Sequence, residues 1–344
     1  MVETIRLKEG KVEVEVPKVY KKGPGKKSIA YYSTSMVVSR DLTIFIIKNA
    51  LKEGGHALDL LGGSGIRGFR IEKECNFNVT INEKNRESLV FIKNNANINN
   101  SKAKITELDA KRCTPNGFFD YIVVDPYGSP VPFLDPALKA IKNNGVLGIT
   151  ATDVSNFAGT NPDKTWYLYH SIPLDNYLKH EVGIRILIGY IARKASEYNF
   201  GIFPLLSYFG GYYYRVFIKL KRGKKEVLKS LSLIQEINFI KMFKRVGPIW
   251  IGNLHDLKDF KIPDYLQSKK EIEKIINISK DENRLFFFST EELGKKLKID
   301  VPKIERLIEK LKEEGFSASR TQFSNVGLKT NATLPKINKI LKSN

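Results

Sequence analysis

The segment Asp59-Leu60-Leu61-Gly62-Gly63-Ser64-Gly65-Ile66-Arg67-Gly68 constrains this chain more than any other stretch. It continues an apolar run that starts at Ala57 and leads into residues with helical character. A buried strand that ends in a glycine-rich turn and opens a helix is the first half of a βαβ unit. Its glycines let the backbone turn tightly and come close to a ligand. Short apolar runs recur at residues 79–81, 103–106, 121–125 and 146–150, separated by segments of helix length. In one of these segments Leu89, Ile92 and Ala96 share a helical face. Five such runs predict a parallel, doubly wound α/β sheet. Two further strands are expected at 202–207 and 215–220. Joined through Gly210-Gly211, they form an antiparallel hairpin at the end of a seven-stranded, Rossmann-like sheet.

The flanks read differently. Residues up to about Tyr32 alternate and contain the turn residues Gly23-Pro24-Gly25, which predicts a hairpin leading into a basic loop. A helix is expected over 36–51, with Leu42, Ile46 and Leu51 apolar. The charge run Lys221-Arg222-Gly223-Lys224-Lys225 marks a candidate boundary, dividing the chain into domains 1–222 and 223–344. Beyond it, Ser289 followed by Glu292 is a capping-box signature. Ile304, Leu307, Ile308 and Leu311 then share a helical face, with Gly315 as a C-cap. Two short helices followed by a hairpin over 316–331 predict a smaller α+β domain with a winged-helix-like element, a shape that often touches nucleic acid.

Composition narrows the class. The chain has 344 residues, and 57 Lys and Arg against 37 Asp and Glu leave a net charge of +20. That surplus suggests a polyanionic partner, most commonly nucleic acid. Its plainer alternative is a solvated lysine-rich surface. Cys75 and Cys113 form no CxxC pair, and the four histidines have no metal-binding spacing, so no metal is expected. No apolar run reaches the roughly 18 residues that span a membrane. The charged N-terminus does not resemble a signal peptide. A cytoplasmic protein with two buried, inert thiols is expected. Its oligomeric state is left open, with a monomer favoured.

The glycine loop admits two cofactor classes. Dinucleotide enzymes use GxGxxG to seat a pyrophosphate on a helix N-terminus. This chain has GGSG, begun by Asp59, which favours S-adenosyl-L-methionine, with Gly62 and Gly65 at the turn. Glu83 follows the second strand, where a carboxylate can accept ribose hydroxyls. Asp109, after the third strand, is placed to accept the adenine amine, and Ala110 to offer its backbone N–H. Each acid alone is more often a helix cap. Three at successive strand ends point to one ligand, because open α/β sheets bind outside the carboxyl ends of their strands.

Asp125-Pro126-Tyr127-Gly128-Ser129-Pro130 ends the fourth strand. The exocyclic amine of a nucleobase is a poor nucleophile because its lone pair is conjugated into the ring. A carboxylate that binds its N–H groups raises electron density and can take the proton. Asp125 supplies the carboxylate, the Pro126 carbonyl can hold a second N–H, and Tyr127 can stack on an extruded base. The alternative reading of this segment is a rigid turn.

At these residues the chain resembles the tRNA guanine-26 N2-dimethyltransferases, a family of class I S-adenosylmethionine-dependent methyltransferases. The likeness runs through SRDLT (39–43), DLLGGSGIRG (59–68), VVDPYGSPVPFLDPALKAI (123–141), GITATDVSNFAG (148–159), HEVGIRILI (180–188), YYRVFIKL (213–220), GPIWIG (247–252) and GLKT (327–330). It implies cofactor contacts by Arg40 and Arg67, ribose binding by Glu83, and adenine binding by Asp109 and Ala110. It also implies catalysis at Asp125, with Pro126 and Tyr127 framing the base and tRNA as partner. The plainer role for the two arginines is ion pairing near a helix end. Tyr32-Ser33-Thr34 stands where the family usually shows an aromatic followed by Asn-Pro. Ser39 replaces a commoner Asn and Tyr127 a commoner Phe, so the shape of the base pocket departs from the pattern. The cysteine-rich zinc insert of some relatives has no counterpart after Cys113.

Three other functions fit less well. A small-molecule amine transferase on the same fold is disfavoured by the +20 charge, and a dinucleotide oxidoreductase by GGSG. A non-catalytic RNA-binding protein on a decayed fold is disfavoured by the intact Asp125, Glu83 and Asp109.

Overall fold

A computed structural model describes residues 3–18, 29–112, 116–239 and 244–342. The N-terminal hairpin pairs β1 (Thr4–Glu9) with β2 (Val12–Pro17). It turns at Gly10, in the left-handed region at φ +57°. The expected turn at Gly23–Gly25, and Cys113, lie outside the described residues. Helix α1 (Val37–Ala50) leads into the alternating body: β3 (His56–Asp59), α2 (Ile66–Cys75), β4 (Asn78–Asn82), α3 (Arg86–Ile98), β5 (Lys104–Thr106), β6 (Phe119–Val124), α4 (Val131–Ala140) and β7 (Ile141–Ala151). Then come α5 (Val154–Phe157), α6 (Pro162–Tyr169), α7 (Lys179–Glu197), β8 (Phe200–Phe209) and β9 (Tyr214–Arg222).

The seven body strands form one sheet in the order β5-β4-β3-β6-β7-β9-β8. The first five are parallel, and β9 and β8 close the sheet antiparallel, as the alternation predicts. Neighbouring residues on each strand feed opposite cores. Leu58, Ile122, Val124 and Leu147 join one cluster; Ala57, Tyr121, Val123 and Val146 join the other. This two-sided burial explains why the strands read as continuous apolar runs. Each fully buried Val, Leu or Ile contributes about 1.5–3 kcal/mol.

The charge run 221–225 is no extended linker. Lys221 and Arg222 finish β9, with their cations 4.7 Å and 4.6 Å from the ring centres of Phe203 and Phe200. Lys224 and Lys225 open α8 (Lys224–Ser232), which packs on β8, where the Ser230 hydroxyl accepts from the Ile202 amide at 2.8 Å. A second hairpin, β10 (Ile234–Phe239) with β11 (Lys244–Trp250), places Val246, Ile249 and Trp250 in the same cluster as α7.

After α9 (Lys269–Glu282) come β12 (Phe288–Ser289), α10 (Thr290–Leu297), α11 (Ile304–Glu313), β13 (Ala318–Thr321), β14 (Ser324–Thr330) and α12 (Leu334–Lys342). The three short strands pair in the order β12-β14-β13 and enclose a core with Leu293, Leu307, Leu311, Leu328 and Ile337. Ser289 caps α10 by accepting from the Glu292 amide, and Gly315 ends the α11 segment at φ +83°. The two helices and the hairpin of the winged-helix-like expectation are present, with the hairpin turn docked on the main sheet. In the β13–β14 turn, the Gln322 side chain donates to Ser207 O (3.0 Å) and accepts from the Phe209 amide (2.8 Å), while Phe323 enters the main core. That turn touches the seven-stranded sheet, while Arg320 and Asn325 of the hairpin stay exposed. Among the described residues, no helix is long and apolar enough to cross a membrane.

Candidate active site

The strand-end positions singled out in the sequence lie along the carboxyl edge of the parallel strands. β3 delivers Asp59 and the glycine loop, β4 leads to Glu83, β5 to Asp109, and β6 to Asp125. Gly65 precedes α2 at φ +80°, a conformation that favours glycine. Gly62 is confined by its surroundings, because a Cβ there would lie 2.6 Å from Ile81 Cγ2. The Gly62 amide donates to Asn82 O (2.8 Å) and the Gly63 amide to Glu83 Oε2 (2.9 Å), so the loop and Glu83 form one unit. The other Glu83 oxygen accepts from the Asn85 amide at 2.9 Å. Asp109 stands on the exposed rim. Its Oδ1 accepts from the Lys111 amide and its Oδ2 pairs with Lys84 (3.1 Å), interactions that hold its carboxyl below the usual range. Ala110 beside it is buried.

Asp125 is bound to the first turn of α2 by an ion pair with Arg67. Arg67 also donates to Ser39 O (3.2 Å) and Thr43 Oγ1 (2.8 Å) on α1. A second buried guanidinium, Arg215 on β9, donates to Thr150 Oγ1 (2.8 Å), Thr43 Oγ1 (3.1 Å) and the Tyr121 hydroxyl (3.2 Å). Burial works to raise the Asp125 carboxyl, but the charges of Arg67 and Arg215 outweigh it and hold the group below the ordinary carboxylate range. Asp59 behaves oppositely. Burial pushes it up to about 7 against the pull of Arg67, with Asp125 and Glu83 adding to the rise.

Arg40 belongs to a different cluster. It holds Glu9 through two 2.6 Å bonds, donates to Ser33 O (2.9 Å) and stacks over the Tyr32 ring. Arg70 extends the cluster to Glu9, Asp41 and Glu74, each at 2.7 Å. The structure therefore brings together Asp59, Gly62, Arg67, Glu83 and Asp125, and sets Arg40 in the buried ionic support beside them.

Tyr127 is 58% exposed, and Tyr31 meets it edge to face with ring centres 6.5 Å apart. Burial raises the Tyr31 phenol, and the Asp125 charge adds to this. The loop beneath is fixed at several points. The Gly128 amide donates to Thr152 Oγ1 (2.6 Å), and Thr152 N donates back to Gly128 O (3.1 Å). The Ser129 and Tyr169 hydroxyls lie 2.6 Å apart, and Tyr169 donates to Asp153 at 2.8 Å. Strand ends do not mark Tyr31, Thr43 or Arg215, because each reaches the site from another element, whereas Thr152 directly follows β7. A lone arginine inside the apolar run 213–220 is the signal for Arg215.

The charges decide which cofactor fits. The charges of Asp125 and Glu83 both reach Asp59. A pyrophosphate laid on this loop would meet three carboxylates. A ligand carrying an ammonium and a sulfonium would be drawn to them. Among the described residues, no cluster of His, Cys, Asp and Glu suits a metal ion. Cys75 is free and buried, its thiol pushed up to about 12 by burial.

The comparisons with known proteins agree with this geometry. A family model described as N2,N2-dimethylguanosine tRNA methyltransferase matches residues 10–245 and 235–342. The tRNA (guanine(26)-N(2))-dimethyltransferase of Thermoplasma volcanium is 38% identical over 98% of this chain and 99% of its own. That of Methanocaldococcus jannaschii is 34% identical over 96% of each. The structure of Trm1 from Pyrococcus horikoshii in complex with S-adenosyl-L-methionine superposes with a TM-score of 0.86 at 30% identity, covering 97% of this chain and 99% of that one. With its seven-stranded sheet, its acidic glycine loop and its Asp125 centre, this chain belongs to the N2,N2-dimethylguanosine tRNA methyltransferase family.

Proposed function

We propose that the chain transfers methyl groups from S-adenosylmethionine to the exocyclic N2 amine of the guanine at position 26 of tRNA, giving N2,N2-dimethylguanine, as the names of its relatives state for them. One observation carries the assignment of the centre. Asp125 follows β6 at the carboxyl edge of the sheet and is paired with Arg67, and, two residues on, Tyr127 meets Tyr31 edge to face.

When bound, the cofactor supplies an electrophilic methyl on a sulfonium. Gly62, Gly65, Asp59 and the neighbouring amides would follow its amino-acid portion, with Glu83 reaching the ribose. Asp109 and the Ala110 amide would hold the adenine, and Arg67 orients the loop from α2. Arg40 supports this assembly from the Glu9 cluster.

Asp125 accepts an N–H of the guanine amine, raises its electron density and takes the proton as the N–C bond forms. The Pro126 carbonyl accepts the second N–H. Tyr127 and Tyr31 flank the extruded ring, so that the amine is presented in one orientation. Alignment of this kind supplies up to about 7–11 kcal/mol of a barrier. Residues 223–344 serve as the tRNA-binding part. Their exposed lysines, among them Lys296, Lys298, Lys339 and Lys342, neutralise backbone phosphates. The reaction belongs to the cytoplasm, where a reduced Cys75 is stable.

Incubating the protein with labelled S-adenosylmethionine and unmodified tRNA transcript, followed by nucleoside mass analysis mapped to a position, tests this reading. Dimethylguanosine at position 26 is expected. Absence of label in the RNA, or label in a different nucleoside, overturns it.

A further inference from the structure

Tyr212 lies in the turn between β8 and β9. That turn sits at the carboxyl end of β7, because Tyr214 pairs with Ala151. The Tyr212 ring is 45% exposed and leans edge-on against Tyr213 at 5.0 Å. Its hydroxyl donates to Ser35 Oγ at 2.6 Å, joining residues 177 positions apart. Ser35 Oγ in turn lies 2.6 Å from Ser33 Oγ. These serines flank and enter the short 3-10 turn Thr34–Met36 that leads into α1.

The same segment carries Tyr31. A Cβ on Gly63 would lie 3.2 Å from Tyr31 O, so the segment also covers the glycine loop. On one side it is anchored from the buried cluster, by Arg40 donating to Ser33 O and by Tyr32 donating to Glu9 at 3.1 Å. On the opposite side stands the exposed phenol of Tyr212. Such a phenol could bond to water at almost no loss, so the bond to Ser35 contributes little to folding. What it fixes is the distance between two parts of the rim. Through Ser35 the Tyr212 phenol is joined to the segment whose Tyr31 ring meets Tyr127 edge to face at 6.5 Å.

We propose that Tyr212 is a positioning residue for the methyl-transfer reaction: its bond to Ser35 clasps the Tyr31 segment over the site and sets the spacing between Tyr31 and Tyr127 into which the target base enters. The clasp acts through Ser35 and Tyr31 on capture of the flipped base, and leaves the chemistry at Asp125 unchanged. It rests on the reading of Tyr31 and Tyr127 as walls of the base pocket.

The test is steady-state kinetics on tRNA transcript with the full chain. Tyr212→Phe keeps the ring and removes the donor. It is expected to raise KM for tRNA three- to tenfold, with kcat and cofactor affinity within twofold of the parent and the same melting temperature. Ser35→Ala should reproduce this, the double variant should be no worse than either, and Ser35→Thr should restore the parent KM. An unchanged KM in Tyr212→Phe, a fall in kcat alone, or additive losses in the double variant overturns the clasp. Tyr127→Ala separates the two readings. If it raises KM while Tyr212→Phe does not, only the clasp fails; if it changes neither KM nor kcat, the base pocket fails and the clasp with it.

Discussion

Asp125 and Glu181 are both carboxylates held by basic side chains, but their surroundings give them opposite uses. Glu181 on α7 is fully buried. Lys329 on β14 donates to both its oxygens at 2.9 Å, and Arg185 and the Phe286 amide also donate to it. The cations are saturated as well. Lys329 also reaches Arg284 O (2.6 Å), and Arg185 reaches Trp250 O (3.1 Å) and Gly252 O (3.0 Å). Asp125 is held by Arg67 and by a hydrogen bond from Thr150, while its side chain stays 19% exposed. A carboxylate surrounded by donors is a joint between parts of the fold. One that is charged by a cation behind it and open in front can receive a ligand's N–H.

The sharpest way to break this comparison is to neutralise each group and read both activity and stability. Asp125→Asn should lower methyl transfer by roughly 10²–10⁴-fold while cofactor affinity stays close to the parent, and the melting temperature should fall because buried Arg67 loses its charge partner. Loss of cofactor binding instead would move Asp125 from the acceptor to the cofactor. The pH profile follows from the depressed Asp125 carboxyl. Its pairing stabilises the fold above the unfolded value near 3.8 and is lost only as pH falls through the lower folded value. Activity limited by this group should therefore hold down to at least about pH 4, and a half-maximal point near pH 6 would assign the limb to another residue.

Lys329→Ala should do the reverse. It strands Glu181 in the core and should cost about 3–5 kcal/mol in urea unfolding. An unchanged denaturation midpoint would show that the joint is dispensable. Glu83→Ala should weaken cofactor binding by about tenfold to a hundredfold, as expected for a charge-assisted pair of hydrogen bonds. An unchanged dissociation constant removes it from the ribose. The smallest effect belongs to the surface. Replacing Lys296, Lys298, Lys339 and Lys342 with Gln should flatten the salt dependence of tRNA binding, by about one unit of slope for each phosphate that is no longer neutralised. The melting temperature should not change. An unaltered slope would place the tRNA grip elsewhere.

The parts of the molecule that repeat locally were legible in advance. Six of the seven sheet strands fell on apolar runs, because two-sided burial writes itself into consecutive residues, and β8–β9 formed the expected hairpin; the edge strand β5, Lys-Ile-Thr, has no buried residue and only a faint signal. The capping box at Ser289 and the glycine after α11 held because each is a short-range rule. The β10–β11 hairpin and α9 lack such a signature and were not anticipated. The long-range ionic contacts were illegible for a different reason. Glu181 and Lys329 are 148 residues apart, and Glu9 and Arg40 belong to elements that meet only in the folded chain. No spacing rule distinguishes Lys329 from dozens of solvated lysines. Arg67 and Asp125 were named from the sequence as separate functional positions, but their direct ion pair emerged only with the sheet assembled.

The docked turn at Gln322 has a consequence for target choice. Gln322 and Phe323 are seated against β8, and Lys329 is sunk beside α7, so the C-terminal part is joined at two buried points to the body that carries Asp125. Those joints would set the separation between the C-terminal lysines and Asp125, like the jaws of a caliper. A tRNA gripped by its backbone would then offer to Asp125 the nucleotide that lies at that gauge length, whatever sequence surrounds it.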